Sequence, residues 1–296
     1  MPELPEVETM RRGILGLVGG QIETFEKLPC QRRPIGILPG ASQLRRKLPG
    51  RIISRIDRLG KRVLLVLDDQ SRLMFEPRMT GLVLLTDPPT QEHLRVRLEI
   101  SGAVHGDLLY WDRRGLGSVH WFSEADFAAA FHLGRLGPDA LAIDPAEFQA
   151  RLSTTRQPVK VALLDQRKVA GIGNLYASEI LHLAKVHPGE PCCNLSPQTR
   201  NRSHACMTAI LEEAIRYEGS TLNDGTYRNA LNQSGGYQNH HRVYAKEGSV
   251  CCTCGKGQVI RVVQAQRATF YCPRCQKPRP QKLSTRKTKS KLLQAP

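Results

Sequence analysis

The sequence predicts an α+β protein of two domains, with a small cysteine-bearing hairpin near its end. Three observations predict this. Short β-prone runs fill residues 50 to 122, helical periodicity takes over after Leu136-Gly137-Pro138, and two Cys-x-x-Cys pairs lie between 251 and 275. Strands grouped before helices mark a segregated α+β architecture, whereas alternating α/β units would interleave them. At 296 residues the chain exceeds the usual domain of about 100 to 150 residues. The domain boundary is expected between 124 and 145.

Residues 6 to 18 place Val7, Met10, Ile14 and Leu17 at helical spacing, with Pro5 near the first turn and Gly19-Gly20 as a stop. Strands are read at Arg62 to Leu67, Leu73 to Phe75, Leu82 to Leu85 and Leu108 to Trp111. Leu94, Val96, Leu98 and Ile100 alternate with Arg95, Arg97 and Glu99, which gives a strand with one wet face. Helices follow near 145 to 152, 158 to 165, 174 to 184 and 197 to 217. A Gly, Asn and Ser-rich stretch from Gly219 to Gly236 reads as a long mobile loop. Lys277 to Pro296 carries seven Lys or Arg and no acid, so a disordered basic tail is expected. No internal repeat is present.

The composition is ordinary for a globular protein, with 40% hydrophobic and 24% charged residues. The charge is not: 43 Lys plus Arg against 27 Asp plus Glu give a net +16 and a pI near 9.7. Such an excess calls for a polyanionic partner, and nucleic acid is favoured over a membrane. No apolar run approaches the ~20 residues needed to span a bilayer, and no basic amphipathic helix stands out. The start of the chain lacks the features of a secretory signal, so a cytoplasmic, nucleoid-associated protein is expected. A disulfide framework is not expected from nine cysteines in a reducing compartment.

Cys251 and Cys254 form one pair and Cys272 and Cys275 the other, with seventeen residues between the pairs. This is the spacing of a four-cysteine zinc ribbon, in which two tight turns supply the ligands and a β-hairpin joins them. Four thiolates leave no open position, so one structural Zn2+ is expected. Cys252 could replace Cys251 with poorer geometry, while Cys30, Cys192, Cys193 and Cys206 read as core or surface thiols. Arg267, on the returning strand, could be a solvated surface arginine; the overall charge favours a DNA phosphate as its partner.

The chain starts Met-Pro-Glu-Leu-Pro-Glu-Val-Glu. A small second residue permits removal of Met1, which would leave Pro2 as a secondary amine with a reference pKa of about 7.7 to 8.0. Such an amine can attack a deoxyribose C1′, and the iminium ion formed keeps its charge and drains electrons during elimination. Glu3 and Glu6 lie close enough to move protons. The competing reading is that Pro5 and the acids only start a helix, whose positive end favours carboxylates.

Three separated motifs occur in one order: Pro2-Glu3-Leu4-Pro5-Glu6-Val7-Glu8, then Gly171-Ile172-Gly173-Asn174, then the cysteine hairpin with Ala265-Gln266-Arg267-Ala268-Thr269-Phe270. Together with Leu136-Gly137-Pro138, Leu163-Leu164-Asp165-Gln166 and Tyr176-Ala177-Ser178-Glu179, they resemble the formamidopyrimidine-DNA glycosylase family, from Pro2 to about Gln276. The resemblance implies an N-terminal catalytic β-sandwich with flanking helices (1–130), a helical helix-two-turn-helix domain (131–240) and a zinc finger (241–276), followed by the tail (277–296). It implies a monomer that removes oxidised purines from damaged double-stranded DNA and cuts the strand by β,δ-elimination. Pro2 is then the Schiff-base nucleophile, Glu3 the acid assisting sugar opening and base loss, and Lys61 a catalytic lysine near the lesion phosphate. His93, Arg114, Lys160, Asn174 and Arg267 are the implied DNA contacts, and Met79, Arg114 and Leu116 fill the void left by the extruded base. On local grounds, Asn174 is expected to cap a helix beginning at Leu175 and to leave its N–H groups as an anion site.

The sequence departs from that family at several points. Leu116 replaces the usual Phe wedge, Glu76-Pro77-Arg78-Met79 stands where a histidine-bearing segment is common, the hairpin is one residue longer, and the basic tail is an addition. Two rivals stay open on sequence: an endonuclease VIII-like enzyme for oxidised pyrimidines, favoured by the smaller wedge, and a non-catalytic zinc-bearing DNA-binding protein.

Overall fold

The computed structural model describes residues 2–131 and 135–278. Helix α1 (Leu4–Gly13) starts with Pro5 in its first turn and a capping box between Glu3 and Glu6. Val7, Met10, Ile14 and Leu17 are fully buried, as their spacing predicts.

The strands that follow are β1 (Gln21–Lys27), β2 (Gly36–Leu38), β3 (Ile53–Leu59), β4 (Arg62–Leu67), β5 (Arg72–Glu76), β6 (Gly81–Leu84), β7 (Leu94–Ser101), β8 (Asp107–Asp112) and β9 (Ser118–Phe122). They form a four-stranded sheet in the order β1-β7-β8-β6 and a five-stranded sheet in the order β2-β9-β5-β4-β3. All pairings are antiparallel except β2 with β9. Val63, Leu65, Leu73 and Phe75 of one sheet share a core with Val96, Leu98, Leu108 and Tyr110 of the other. This is a β-sandwich, and α1 buries Val7 and Met10 in the same core.

Strands β1 and β2 and helix α2 (Ala41–Lys47) have no sequence signal. In β1 only Ile22 and Phe25 are buried, three apart, because a bulge between Ile22 and Thr24 breaks the period of two. Helix α2 buries Leu44 alone. Helix α3 (Glu124–Phe131) ends the first described segment.

The second half holds α4 (Pro145–Ser153), α5 (Val159–Leu164), α6 (Asn174–Leu183) and α7 (Pro197–Arg216) around its own core. Asp144 caps α4 by accepting from Glu147 N at 2.8 Å, and Ser196 caps α7 by accepting from Thr199 N at 3.2 Å. Residues 219–236, expected to be a mobile loop, instead fold back onto the sandwich. Tyr227 and Ala230 are buried in its core, and Leu85 N donates to Ala230 O at 2.8 Å. Strands β10 (Ile260–Gln264) and β11 (Arg267–Tyr271) form the cysteine-bearing hairpin. The expected tail lies outside the described residues from 279 onward.

Two features join the halves. Leu4 is buried in the helical core while Val7 and Met10 lie in the sandwich core, so one helix serves both. Arg58 bridges Glu8 (3.0 Å) to Asp139, which it grips with two nitrogens. Burial alone would raise the Glu8 carboxyl, but hydrogen bonds from Arg11 and Arg12 and the charge of Arg58 hold it down to about 2.

Candidate active site at the domain junction

The chain start is buried where α1 meets the N-terminus of α6. The Glu3 carboxylate is 3% exposed and accepts hydrogen bonds from Gly173 N (2.7 Å), Leu175 N (3.0 Å) and Tyr176 N (3.4 Å). These are the orphan donors of the first helical turn, so Glu3 caps α6 from 170 residues away. The Gly-Ile-Gly turn exists to admit it. A Cβ on Gly173 would lie 2.2 Å from the Glu3 carboxyl carbon, and one on Gly171, at φ +108°, would lie 2.4 Å from Leu4.

Beneath Glu3 lies Glu6, also buried, which accepts from Glu3 N (2.9 Å), Tyr176 Oη (2.6 Å) and Ser220 N (2.8 Å). Burial pushes its pKa up and the charge of Glu3 adds to this, while the hydrogen bonds from Tyr176 and Ser220 oppose it.

Lys61 sits at the tip of the β3–β4 hairpin, after Gly60 at φ +58°. Burial pushes its ammonium below the usual lysine range; Glu3 and Glu6 pull it back up and Arg267 lowers it further. Lys160 is 1% exposed and donates to Asn174 Oδ1 (2.7 Å), Ala268 O (3.0 Å) and Thr269 Oγ1 (2.7 Å), and burial brings its pKa down to about 8. Asn174 in turn donates to Ala268 O at 2.9 Å.

Two expectations therefore change. Asn174 is the first residue of α6 and not its cap, and the helix N–H groups point at Glu3, so no outward anion site forms there. Lys160 is enclosed by three protein acceptors, so besides the DNA contact expected of it, it fastens the cysteine hairpin to α5 and α6. Arg267 remains exposed, held at the hairpin turn by Ala265 (φ +47°) and Gln266 (φ +60°).

The wedge residues lie on the sandwich side. Thr80 Oγ1 donates to Asp112 Oδ1 and accepts from Arg114 N at 3.0 Å, while Asp112 Oδ2 accepts from Gly117 N at 2.7 Å. The loop of Arg114 and Leu116 is thereby tied to the loop of Met79, which is 37% exposed. Arg114 is exposed and Leu116 half-buried. His93 packs its ring edge on Trp111, with centroids 5.5 Å apart.

The sulfurs of Cys251, Cys254, Cys272 and Cys275 lie within 4.8 Å of one another, with Cys251–Cys275 and Cys254–Cys272 each at 3.8 Å. Tetrahedral zinc with bonds of ~2.3 Å requires sulfurs about 3.8 Å apart, so the four thiols fit a metal ion of that size. Backbone N–H groups of Lys256 and Gly257 hold the Cys254 thiol down to about 6, which favours its thiolate. Two groups of α6 that sequence reading missed fix this hairpin. His182 bonds Thr253 Oγ1 (2.8 Å) and Gln276 Oε1 (3.1 Å), and Glu179 accepts from Arg242, Val243 and Tyr244 N at 2.8 to 3.0 Å. The Tyr176-Ala177-Ser178-Glu179 motif carried that signal without its meaning.

A sandwich pinned through a buried N-terminal glutamate to a helix-two-turn-helix unit and a thiol-rich hairpin defines a specific class of protein. Residues 1–119 match the N-terminal domain of formamidopyrimidine-DNA glycosylase and residues 136–226 match its H2TH domain. The chain belongs to the formamidopyrimidine-DNA glycosylase family. Formamidopyrimidine-DNA glycosylases of Chloroflexus aurantiacus and Streptococcus pyogenes are each 37% identical to it, over 93% of this chain and 98% of the relative in the first case and 95% and 100% in the second. Among solved structures, a variant Lactococcus lactis Fpg bound to DNA containing Fapy-dG superposes with a TM-score of 0.82 at 33% identity, covering 93% of this chain and 100% of that one. The same organism's Fpg on abasic-site DNA gives a TM-score of 0.81 at 32% identity, covering 93% and 99%. Among the described residues no helix is long and apolar enough to cross a membrane.

Proposed function

We propose that this protein is a cytoplasmic, nucleoid-associated DNA glycosylase and abasic-site lyase of base excision repair. It acts as a monomer on damaged duplex DNA and removes oxidised purines. The observation that carries this reading is the Glu3 carboxylate, held by three backbone N–H groups beside Pro2 and above Glu6. A carboxylate so fixed cannot swing away from its neighbour, which is what a proton carrier beside a nucleophile needs.

Once Met1 is removed, the Pro2 nitrogen attacks C1′ of the lesion nucleotide. Glu3 assists opening of the sugar and departure of the base, and the resulting iminium ion draws electrons through successive β- and δ-eliminations. Lys61 and Arg267 bind phosphates next to the lesion, and Asn174 and Lys160 hold Arg267's hairpin in position. His93 and Arg114 contact the backbone on the sandwich side. Met79, Arg114 and Leu116 fill the vacated stack, at the unstacking cost of a few kcal/mol that base extrusion requires. Cys251, Cys254, Cys272 and Cys275 would hold one Zn2+, which would stiffen the hairpin and take no part in the chemistry. The sandwich (1–130), the helical domain (131–240), the zinc finger (241–276) and the tail (277–296) are the units of this reading.

Borohydride trapping on an 8-oxoguanine duplex tests it. A covalent adduct mapped to the Pro2 nitrogen is expected, and one mapped to Lys61 or Lys160 would overturn the proline mechanism. The half-buried Leu116 wedge, and a Lactococcus lactis Fpg structure on DNA containing an oxidised pyrimidine, favour testing thymine glycol in parallel. Faster excision of thymine glycol than of 8-oxoguanine would move the protein to the pyrimidine branch.

A further inference from the structure

The chain leaves the five-stranded sheet for the four-stranded one through Pro77, Arg78, Met79 and Thr80, a turn closed by Gly81 N donating to Pro77 O at 2.8 Å. Arg78 takes φ +53° in this turn. Left-handed backbone is unfavourable for a residue with a Cβ and free of strain for glycine, so an arginine here carries a backbone cost that a role for its side chain would offset. The side chain does little inside the protein. It is 61% exposed, and its ion pair runs from Nε to Glu76 Oε1 at 3.2 Å. The same oxygen also pairs with Arg62 Nη2 at 3.1 Å, so one carboxylate is shared by two cations. The next residue is the wedge Met79, and Thr80 binds the Arg114 loop.

We propose that Arg78 is a further DNA-binding residue. It rests on Glu76 in the free protein and transfers to a backbone phosphate beside the extruded nucleotide when the wedge enters the duplex. A phosphate accepts a guanidinium through two parallel hydrogen bonds, which the shared Glu76 oxygen does not offer. The strained backbone aims the charge, and glycine would relax the backbone while losing the contact. This inference rests on the glycosylase reading, because it needs a wedge that enters DNA.

The test compares Arg78→Gly and Arg78→Lys with the parent on a duplex carrying a tetrahydrofuran abasic analogue, titrated from ~50 to ~200 mM salt. Arg78→Gly is expected to bind about 3- to 10-fold more weakly at the lowest salt, with a log–log salt slope shallower by about 0.9, the value of one phosphate contact. Its Tm should rise by about 1 to 3 °C as the strain is released. Arg78→Lys keeps the charge and should keep the slope. An unchanged slope in Arg78→Gly overturns the proposal, whether affinity is retained or opposite-base preference shifts. A lower Tm in that variant overturns the strain argument. A parent that binds analogue and undamaged duplex equally refutes lesion recognition instead, while the difference in slope between variant and parent still decides Arg78.

Discussion

Gly173→Ala is the smallest change that reaches the site, because a single methyl group would collide with the Glu3 carboxylate. The added Cβ would sit 2.2 Å from its carbon and 2.4 and 2.6 Å from its oxygens. The backbone at Gly173 tolerates alanine, with φ −126°, so the clash is with the side chain alone. Ordinary contact lies near 3.4 Å, and Glu3 is the partner that must retreat, by about 1 Å. It then loses its bonds to Gly173 N, at 2.7 Å, and Leu175 N, at 3.0 Å. Charge-assisted bonds contribute about 1.5 to 3 kcal/mol each, and water recovers part of the loss, leaving about 2 to 4 kcal/mol. For a chain of 296 residues, whose unfolding entropy is about 0.6 kcal/mol/K, that lowers Tm by roughly 3 to 6 °C. Displacing an acid by that distance slows base removal by about a hundredfold. Single-turnover excision of 8-oxoguanine beside a thermal scan measures both. Gly16→Ala, with nothing within 4 Å of its Cβ, is the control. Parent-like excision by Gly173→Ala would refute the claim that Glu3's position on α6 matters.

Glu3→Gln should abolish base removal yet retain cutting at preformed abasic sites, whose sugar opens without a leaving base; equal loss on both substrates would make Glu3 a support for Pro2 only. Cys272→Ala or strong chelation should unfold the hairpin and strip DNA binding while the sandwich stays folded, since structural zinc contributes roughly 10 to 16 kcal/mol in small modules; full activity without metal would contradict this. His241 gives a pH window of unusual sign. Burial lowers its pKa from 6.5 to about 4, with Lys246 and His240 adding to the shift, and its Nε2 bonds Ser220 Oγ at 2.9 Å. The neutral ring is the folded form, so its contribution is intact above pH 6.5 and is lost as pH falls towards 4, by about 3 kcal/mol in all. Urea titrations of the parent and His241→Asn between these pH values should converge in acid; parallel curves would show that the ring is protonated without cost.

Periodicity made part of this molecule legible. Val7, Met10, Ile14 and Leu17 repeat with the helical turn, and the alternation from Val96 to Ile100 repeats with the pleat, so α1 and most of β7 could be read directly. Arg95, read as part of the wet face, is instead buried beside the Leu94/Val96 irregularity and donates to Asp112 O. The cysteine spacing was equally direct, because four thiols in two tight turns have few other uses. Strand β1 was hidden because its bulge erased the period, and α2 because one buried leucine makes no stripe. The site was legible as a set of residues and not as an arrangement. Asn174 satisfies every local rule for a helix cap, yet a carboxylate from 170 residues away takes the position. Lys160 looks like any basic residue in a basic protein, and only the fold shows that Thr269, Ala268 and Asn174 surround it. Contacts between residues so far apart in sequence leave no mark on local pattern.

Because Glu3 is seated by residues 173 to 176 and Glu6 by Ser220, both carboxylates wait during synthesis for partners made much later. At about 5 to 20 residues per second that interval is on the order of 10 to 40 s. During it Glu3 and Glu6 lack these partners, so the seat of α1 on α6 is incomplete. On the proposed mechanism, a nascent chain shorter than this holds Pro2 with nothing to align it, so an arrested or truncated product is expected not to cut DNA. The timing of the proposed chemistry is thus written into the topology: synthesis must reach Ser220 before Glu3 and Glu6 are both seated.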